Sequence, residues 1–116
     1  MADITTRNEI TQAGLTFLSY SAASSGGDEY ENNGRFFVVI KNSGEVSCTV
    51  TFTAQVTSFH SPQYGTSSIA NATLAVASGR SGFIGPFPVS TFNDTNGYVQ
   101  MTYSATSDVT VAICSL

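Results

Sequence analysis

From Val46 to Val56 the chain alternates strictly: Val46, Cys48, Val50, Phe52, Ala54 and Val56 are apolar, and Ser47, Thr49, Thr51, Thr53 and Gln55 stand between them. Successive side chains on a strand point to opposite faces, so this period of two predicts a strand with one buried face. Just upstream, Phe36, Phe37, Val38, Val39 and Ile40 form an unbroken apolar run, the pattern of a strand covered on both faces. Asn42, Ser43 and Gly44 supply turn chemistry, and Arg35 to Thr57 is therefore expected to form a hairpin. Two strands alone are marginally stable at best in water, so the hairpin requires a second sheet.

Elsewhere the pattern is weaker but still of strand type. Residues Met1 to Gly14 are polar, offering only Ile4 and Ile10 for burial, and are expected to form an extended N-terminal arm outside the core. Within it, a helix of one or two turns over Arg7 to Ala13 would be unstable without packing. Leu15 to Ala22 is expected as a first strand, and Ala23 to Gly34, with Gly, Ser, Asn and the acidic residues Asp28, Glu29 and Glu31, as a solvated loop. Ser58 to Gly65 reads as a loop carrying three rings, Phe59, His60 and Tyr64. Strand character returns over Thr66 to Ala77, strongest at Leu74 to Val76. Ser78 to Gly82 turns the chain into a short strand, Phe83 to Gly85, and Pro86 and Pro88 end its pairing because they lack a backbone donor. Asn93 to Gly97 is a turn, followed by strands over Tyr98 to Ser104 and Val109 to Leu116.

Seven short strands spaced roughly 8 to 12 residues apart, without helical periodicity, predict an all-β, single-domain antiparallel β-sandwich over residues 15–116. Its path is left open between immunoglobulin-like and jelly-roll. Phe36 or Phe37, Val38 or Val39, Val50, Phe52, Val99, Met101, Val111 and Ile113 are its expected core. A chain of 116 residues is long enough to bury such a core in one domain.

Charged residues make up 10% of the chain, against about 25% in an average domain, while 16 Ser and 15 Thr take their place. With four basic and eight acidic side chains there is no basic stripe for phosphates, and nucleic acid is not an expected partner. No apolar run is long enough to span a membrane, and the first residues lack the charged start and apolar middle of a signal peptide, so a cytosol-like site of synthesis is expected. Cys48 lies on the apolar face of its strand, whereas Cys114 alternates out of phase with Val109, Val111 and Ile113. The two thiols are expected to point to different layers and to be free, a disulfide remaining open if their strands meet.

Candidate chemistry is sparse. His60 is the only histidine, so any nucleophilic triad would run through it, and no nucleophile-elbow motif accompanies Ser58 or Ser61. Two cysteines and one histidine do not make a zinc site of familiar spacing. The acidic run at Asp28 and the turn at Asn93, Asp94 and Asn96 each hold part of a calcium ligand set, though the second is what a tight turn demands anyway. Asn71 to Thr73 and Asn93 to Thr95 match the glycosylation spacing, which has no meaning without secretion. No enzyme, cofactor or metal is expected. Ile4, Arg7 and Ile10 of the arm and Phe59, His60 and Tyr64 of the aromatic loop are the candidate partner-binding residues, the rings being able to stack on a sugar or on a protein.

Three segments carry a resemblance: Asn32 to Gly44 (NNGRFFVVIKNSG), Val76 to Pro88 (VASGRSGFIGPFP) and Phe92 to Ser104 (FNDTNGYVQMTYS), closing with Val109 to Ile113. Together they resemble a family of small tailed-phage virion proteins read as head decoration or cement proteins; the first 31 residues carry no matching motif. The resemblance implies a non-enzymatic β-rich protein, made in the host cytoplasm and bound in many copies, as a homo-oligomer, to the major capsid protein on the outside of the virion shell. A tail or fibre component, or a small carbohydrate-binding β-sandwich module, would share the low charge and the hydroxyl-rich surface.

Overall fold

The alternation at Val50 and the apolar run at Val38 both become strands, but they do not pair with each other. The structure, a computed structural model, describes residues 1–116. Its strands are β1 (Ala2–Asp3), β2 (Asn8–Glu9), β3 (Ser21–Ala22), β4 (Asp28–Glu31), β5 (Phe37–Asn42), β6 (Cys48–Phe52), β7 (Ser58–Ser61), β8 (Gly65–Ser68), β9 (Ala72–Val76), β10 (Ser81–Ile84), β11 (Tyr98–Tyr103) and β12 (Val109–Ser115), with one short helix, α1 (Val89–Phe92), before β11. The first sheet runs β1-β4-β11-β6-β9. The second runs β10-β5-β12-β2, with β3 also pairing β12, and β7 pairs only with β8. The fold is an all-β sandwich of a single domain. Most pairs are antiparallel; β1 with β4 and β2 with β12 are parallel.

The expected hairpin at Arg35 to Thr57 is therefore an arch. β5 pairs with β10 and β12 in one sheet, while β6 pairs with β11 and β9 in the other. Asn42 holds the bend: its Nδ2 donates to Val46 O at 2.8 Å and Val76 O at 3.0 Å, and its Oδ1 accepts from Gly44 N at 3.0 Å. A Cβ on Gly44 would come within 2.7 Å of Ser107 O, so only glycine fits there. Turn residues specify a reversal, and the same residues serve an arch when both flanking strands have an apolar face to bury between sheets.

The core lies between the inner faces. Tyr30, Val50, Phe52, Val76, Val99 and Met101 of the first sheet meet Val38, Ile40, Val109, Val111 and Ile113 of the second. Phe87 stacks on Phe52 with centroids 4.6 Å apart and meets Phe92 of α1 at 4.9 Å, closing one end. Val38 and Ile40 thus face inward, whereas Val39 joins Ala112 and Cys114 in a smaller cluster on the outer face of the second sheet, with Leu18 and Phe37 against it. Cys48 sits in the main core and Cys114 in the outer cluster, both free.

Five further expectations change. Leu15 to Ala22 is a strand only at Ser21–Ala22. The rest crosses the second sheet's outer face, with Leu15, Phe17 and Tyr20 exposed, and Asn8 ties it down by accepting from Ser19 N at 2.7 Å and donating to Ser19 O at 3.2 Å. The solvated loop expected over Ala23 to Gly34 contains β4, with Asp28 and Tyr30 fully inside; Asp28 tolerates burial because Oδ2 accepts from Tyr103 Oη at 2.6 Å and Ser24 N at 3.2 Å. The loop at Ser58 to Gly65 belongs to the β7–β8 hairpin. Finally, residues 1–14 are not a detached arm: β1 and β2 extend the two sheets, and Ile4 and Asn8 are buried. Main-chain pairing at a sheet edge needs no apolar alternation, which is why the composition of that segment concealed it. Val46 and Val56, expected within the alternating strand, lie beyond its ends and are exposed.

Candidate functional site

The partner-binding candidates fall into two groups. Phe59, His60 and Tyr64 share the β7–β8 hairpin, where Phe59 stands opposite Ser67, His60 opposite Thr66, and Tyr64 lies in the connecting turn. Phe59 is 53% and Tyr64 83% exposed. No residue of either strand is buried, so the ribbon projects from the sandwich with both faces wet. His60 Nδ1 lies 3.3 Å from Thr66 Oγ1 across the ribbon.

The N-terminal group is rearranged. Ile4 belongs to the main core and is not available to a partner, a correction that follows from β1 carrying it onto the sandwich. Arg7 is turned inward: its guanidinium donates to Ile4 O at 2.6 Å and Glu31 O at 3.1 Å and lies 4.9 Å from the Phe36 ring centroid. It is a staple between the N-terminal segment and β4. Ile10 is at the surface, its backbone N donating to Ser115 O at 2.8 Å.

Two grooves that the sequence reading missed flank the crossover from β4 to β5. The first, about 370 Å³, is lined by Asp3, Thr5, Arg7, Glu31, Phe36 and Tyr98 among others. Asp3 on β1, Glu29 and Glu31 on β4 and Tyr98 on β11 reach the same outer face because Asp3 pairs with Glu29 and Glu31 with Tyr98. Tyr98 Oη is 3.5 Å from Asp3 Oδ2, and the Asp3 carboxylate, with partial burial and the charges of Glu31 and Glu29, holds this phenol above its ordinary value. Nearby, Asp94 Oδ2 accepts from Gln100 Nε2 at 2.9 Å and its Oδ1 from Asn96 N and Tyr98 N, bonds that lower its carboxyl pKa, the Gln100 bond most.

The second groove, about 480 Å³, is apolar, with Phe37, Phe83, Ile84 and Pro86 along it and Arg35 as its one charged side chain. Phe83 is 69% exposed. Its position opposite Val39 puts it on the outer face, a placement that parity within so short a strand could suggest but not establish.

One carboxylate of each acidic run is spent internally. The Asp28 carboxylate is taken up by Tyr103 and Ser24, and that of Asp94 by its own turn and Gln100. No group of three or more His, Cys, Asp and Glu side chains is arranged to hold a metal ion. What the surface offers is contact: a projecting aromatic ribbon, an acidic groove and an apolar groove. Comparison with protein-family models, with characterised proteins and with solved structures returned no match for this chain.

Proposed function

We propose that this chain is a capsid decoration protein, a non-enzymatic cement that docks in many copies on the outside of a shell of major capsid protein and stabilises it. The observation that carries the reading is the β7–β8 hairpin, which has no buried residue yet presents Phe59 and Tyr64 to solvent. A two-stranded ribbon is marginally stable by itself, and aromatic side chains are the usual anchors of protein interfaces. Such a ribbon gains from a partner surface the packing that the sandwich does not give it. The low charge, the Ser- and Thr-rich surface and the resemblance of Asn32 to Ile113 to virion proteins support the same reading. Repetition over a symmetric shell makes modest single contacts strong together.

The test is to add purified protein to mature and immature capsids that lack it. Saturable binding at regular lattice positions and greater resistance of the shell to heat are expected. Replacing Phe59 and Tyr64 together by Ala should weaken binding while changing fold stability by no more than about 0.5 kcal/mol, as for other exposed sites. Attachment to tails alone, a hydrolytic activity, or recognition of a glycan with no binding to any particle would overturn the reading.

A further inference from the structure

Asparagine followed by glycine is the pairing most open to intramolecular cyclisation, because the glycine has no Cβ to block the approach of its nitrogen to the asparagine carboxamide. The chain has two such steps, Asn33–Gly34 and Asn96–Gly97, and both asparagines are exposed. The fold holds them differently. Asn96 lies in the turn before β11, which is closed by main-chain bonds: Gly97 N donates to Asp94 O at 3.1 Å, Asp94 N to Tyr98 O at 2.9 Å, and Asn32 N to Gly97 O at 3.0 Å. Asn96 N is held as well, donating to Asp94 Oδ1 at 2.8 Å. Asn33 lies on the crossover from β4 to β5, where residues 33–36 belong to no strand and make no main-chain to main-chain hydrogen bond. Side-chain oxygens hold its amides instead: Gly34 N donates to Asn32 Oδ1 at 3.0 Å, and Arg35 N to Asn33 Oδ1 at 2.9 Å.

We propose that Asn33 is a self-modification site, where the folded chain cyclises and reopens as aspartate or isoaspartate while Asn96 is preserved. The Gly34 nitrogen, losing its proton, bonds to Asn33 Cγ; the Cγ–Nδ2 bond breaks and ammonia leaves with the proton, giving a five-membered succinimide. Water then adds to one of the two ring carbonyls, its second proton returning to the ring nitrogen. Opening at Cγ leaves an aspartate in the ordinary main chain. Opening at the main-chain carbonyl leaves an isoaspartate, with the main chain routed through Cγ and lengthened by one methylene. The Arg35 amide donates to Asn33 Oδ1, the oxygen that carries negative charge in the tetrahedral intermediate, so a donor is in place for that charge. The glycine nitrogen must also swing toward Cγ. On the crossover this gives up one bond, from Gly34 N to Asn32 Oδ1. In the Asn96 turn the same movement breaks the bond from Gly97 N and pulls Gly97 O away from Asn32 N and Asn93 Nδ2. Each event at Asn33 adds a carboxylate to the groove that this residue lines with Asp3 and Glu31.

Incubating the full chain at neutral pH in oxygen-18 water, followed by peptide mapping in a mass spectrometer, reads both sites at once, because each opening leaves one labelled oxygen. No shell is involved, so the outcome is separate from the capsid reading. In the folded chain, label is expected at residue 33 at least about tenfold faster than at residue 96. In urea the two steps keep only their shared Asn–Gly chemistry, and their rates should come within about threefold of each other. An isoaspartyl methyltransferase should methylate the aged folded chain at residue 33. Asn33→Gln, which can close only a slower six-membered ring, should remove that signal, with circular dichroism checking that the fold persists. A folded chain that takes up no label at residue 33 while the unfolded chain does, label at residue 96 as fast as at residue 33, or the same ratio of rates folded and unfolded would overturn the proposal.

Discussion

Tyr30 and Tyr103 are phenols on the inward faces of β4 and β11, and they differ in one bond. The Tyr103 hydroxyl donates to Asp28 at 2.6 Å, whereas the buried Tyr30 hydroxyl has no partner. Losing a bond to a buried carboxylate costs more than losing an unmade one, so Tyr103→Phe should lower stability by about 1–3 kcal/mol in urea titration, while Tyr30→Phe should be neutral or stabilising. Both phenols are held above their ordinary value mainly by burial; the Asp28 hydrogen bond adds to it at Tyr103, and Arg7 opposes it at Tyr30. A group whose folded pKa is raised keeps its proton where the unfolded chain has lost it. Stability is therefore full below the ordinary phenol value of about 10 and falls as pH rises beyond it. Unfolding curves between about pH 8 and 11 should show that decline, and Tyr103→Phe should flatten it. Phe52, fully buried and stacked on Phe87, was legible as core from alternation alone; Phe52→Ala should cost about 3–5 kcal/mol by the same measurement.

At the level of elements, the arch between β5 and β6 and the edge strand β2 depend on asparagines. Asn42→Ala would leave Val46 O, Val76 O and Gly44 N without their side-chain partner, and a loss of at least about 2 kcal/mol in urea is expected. Asn8 binds the crossing segment through Ser19 and reaches Ile113 O at 3.2 Å. Deleting residues 1–12 removes Asn8, the buried Ile4 and two edge pairings, so a lower melting temperature is expected rather than an intact core shorn of an arm. β6, β11 and β12 were readable because a half-buried strand writes its burial into every second residue. β4 was not, since Glu29 and Glu31 occupy its wet face and Asp28 its dry one, and a buried carboxylate is intelligible only once Tyr103 stands beside it.

Across the whole molecule, the second sheet separates the two cysteines: Cys48 faces the main core and Cys114 the outer cluster. Burial also pushes the Cys114 thiol up, away from the reactive thiolate. A thiol reagent should therefore label native protein slowly and both cysteines rapidly after unfolding, with no disulfide seen by mass; fast labelling of Cys114 in the native state would mean that Leu18 and Phe37 do not cover it.

Periodicity alone determined that this is a β-protein, which residues of β6, β11 and β12 face inward, and that the Cys48 and Cys114 side chains diverge, because alternation is a local consequence of strand geometry. Sheet membership was decided only by tertiary structure. Asn42 to Gly44 reads equally as hairpin or arch, and the choice rests on β9, β10, β11 and β12 having apolar faces that close two layers. The same holds for the N-terminal segment, whose backbone bonds to β4 and β12 leave no mark on side-chain pattern, and for the two grooves. Asp3, Glu31 and Tyr98 are distant in sequence and become neighbours through strand register, a long-range property that no local window contains.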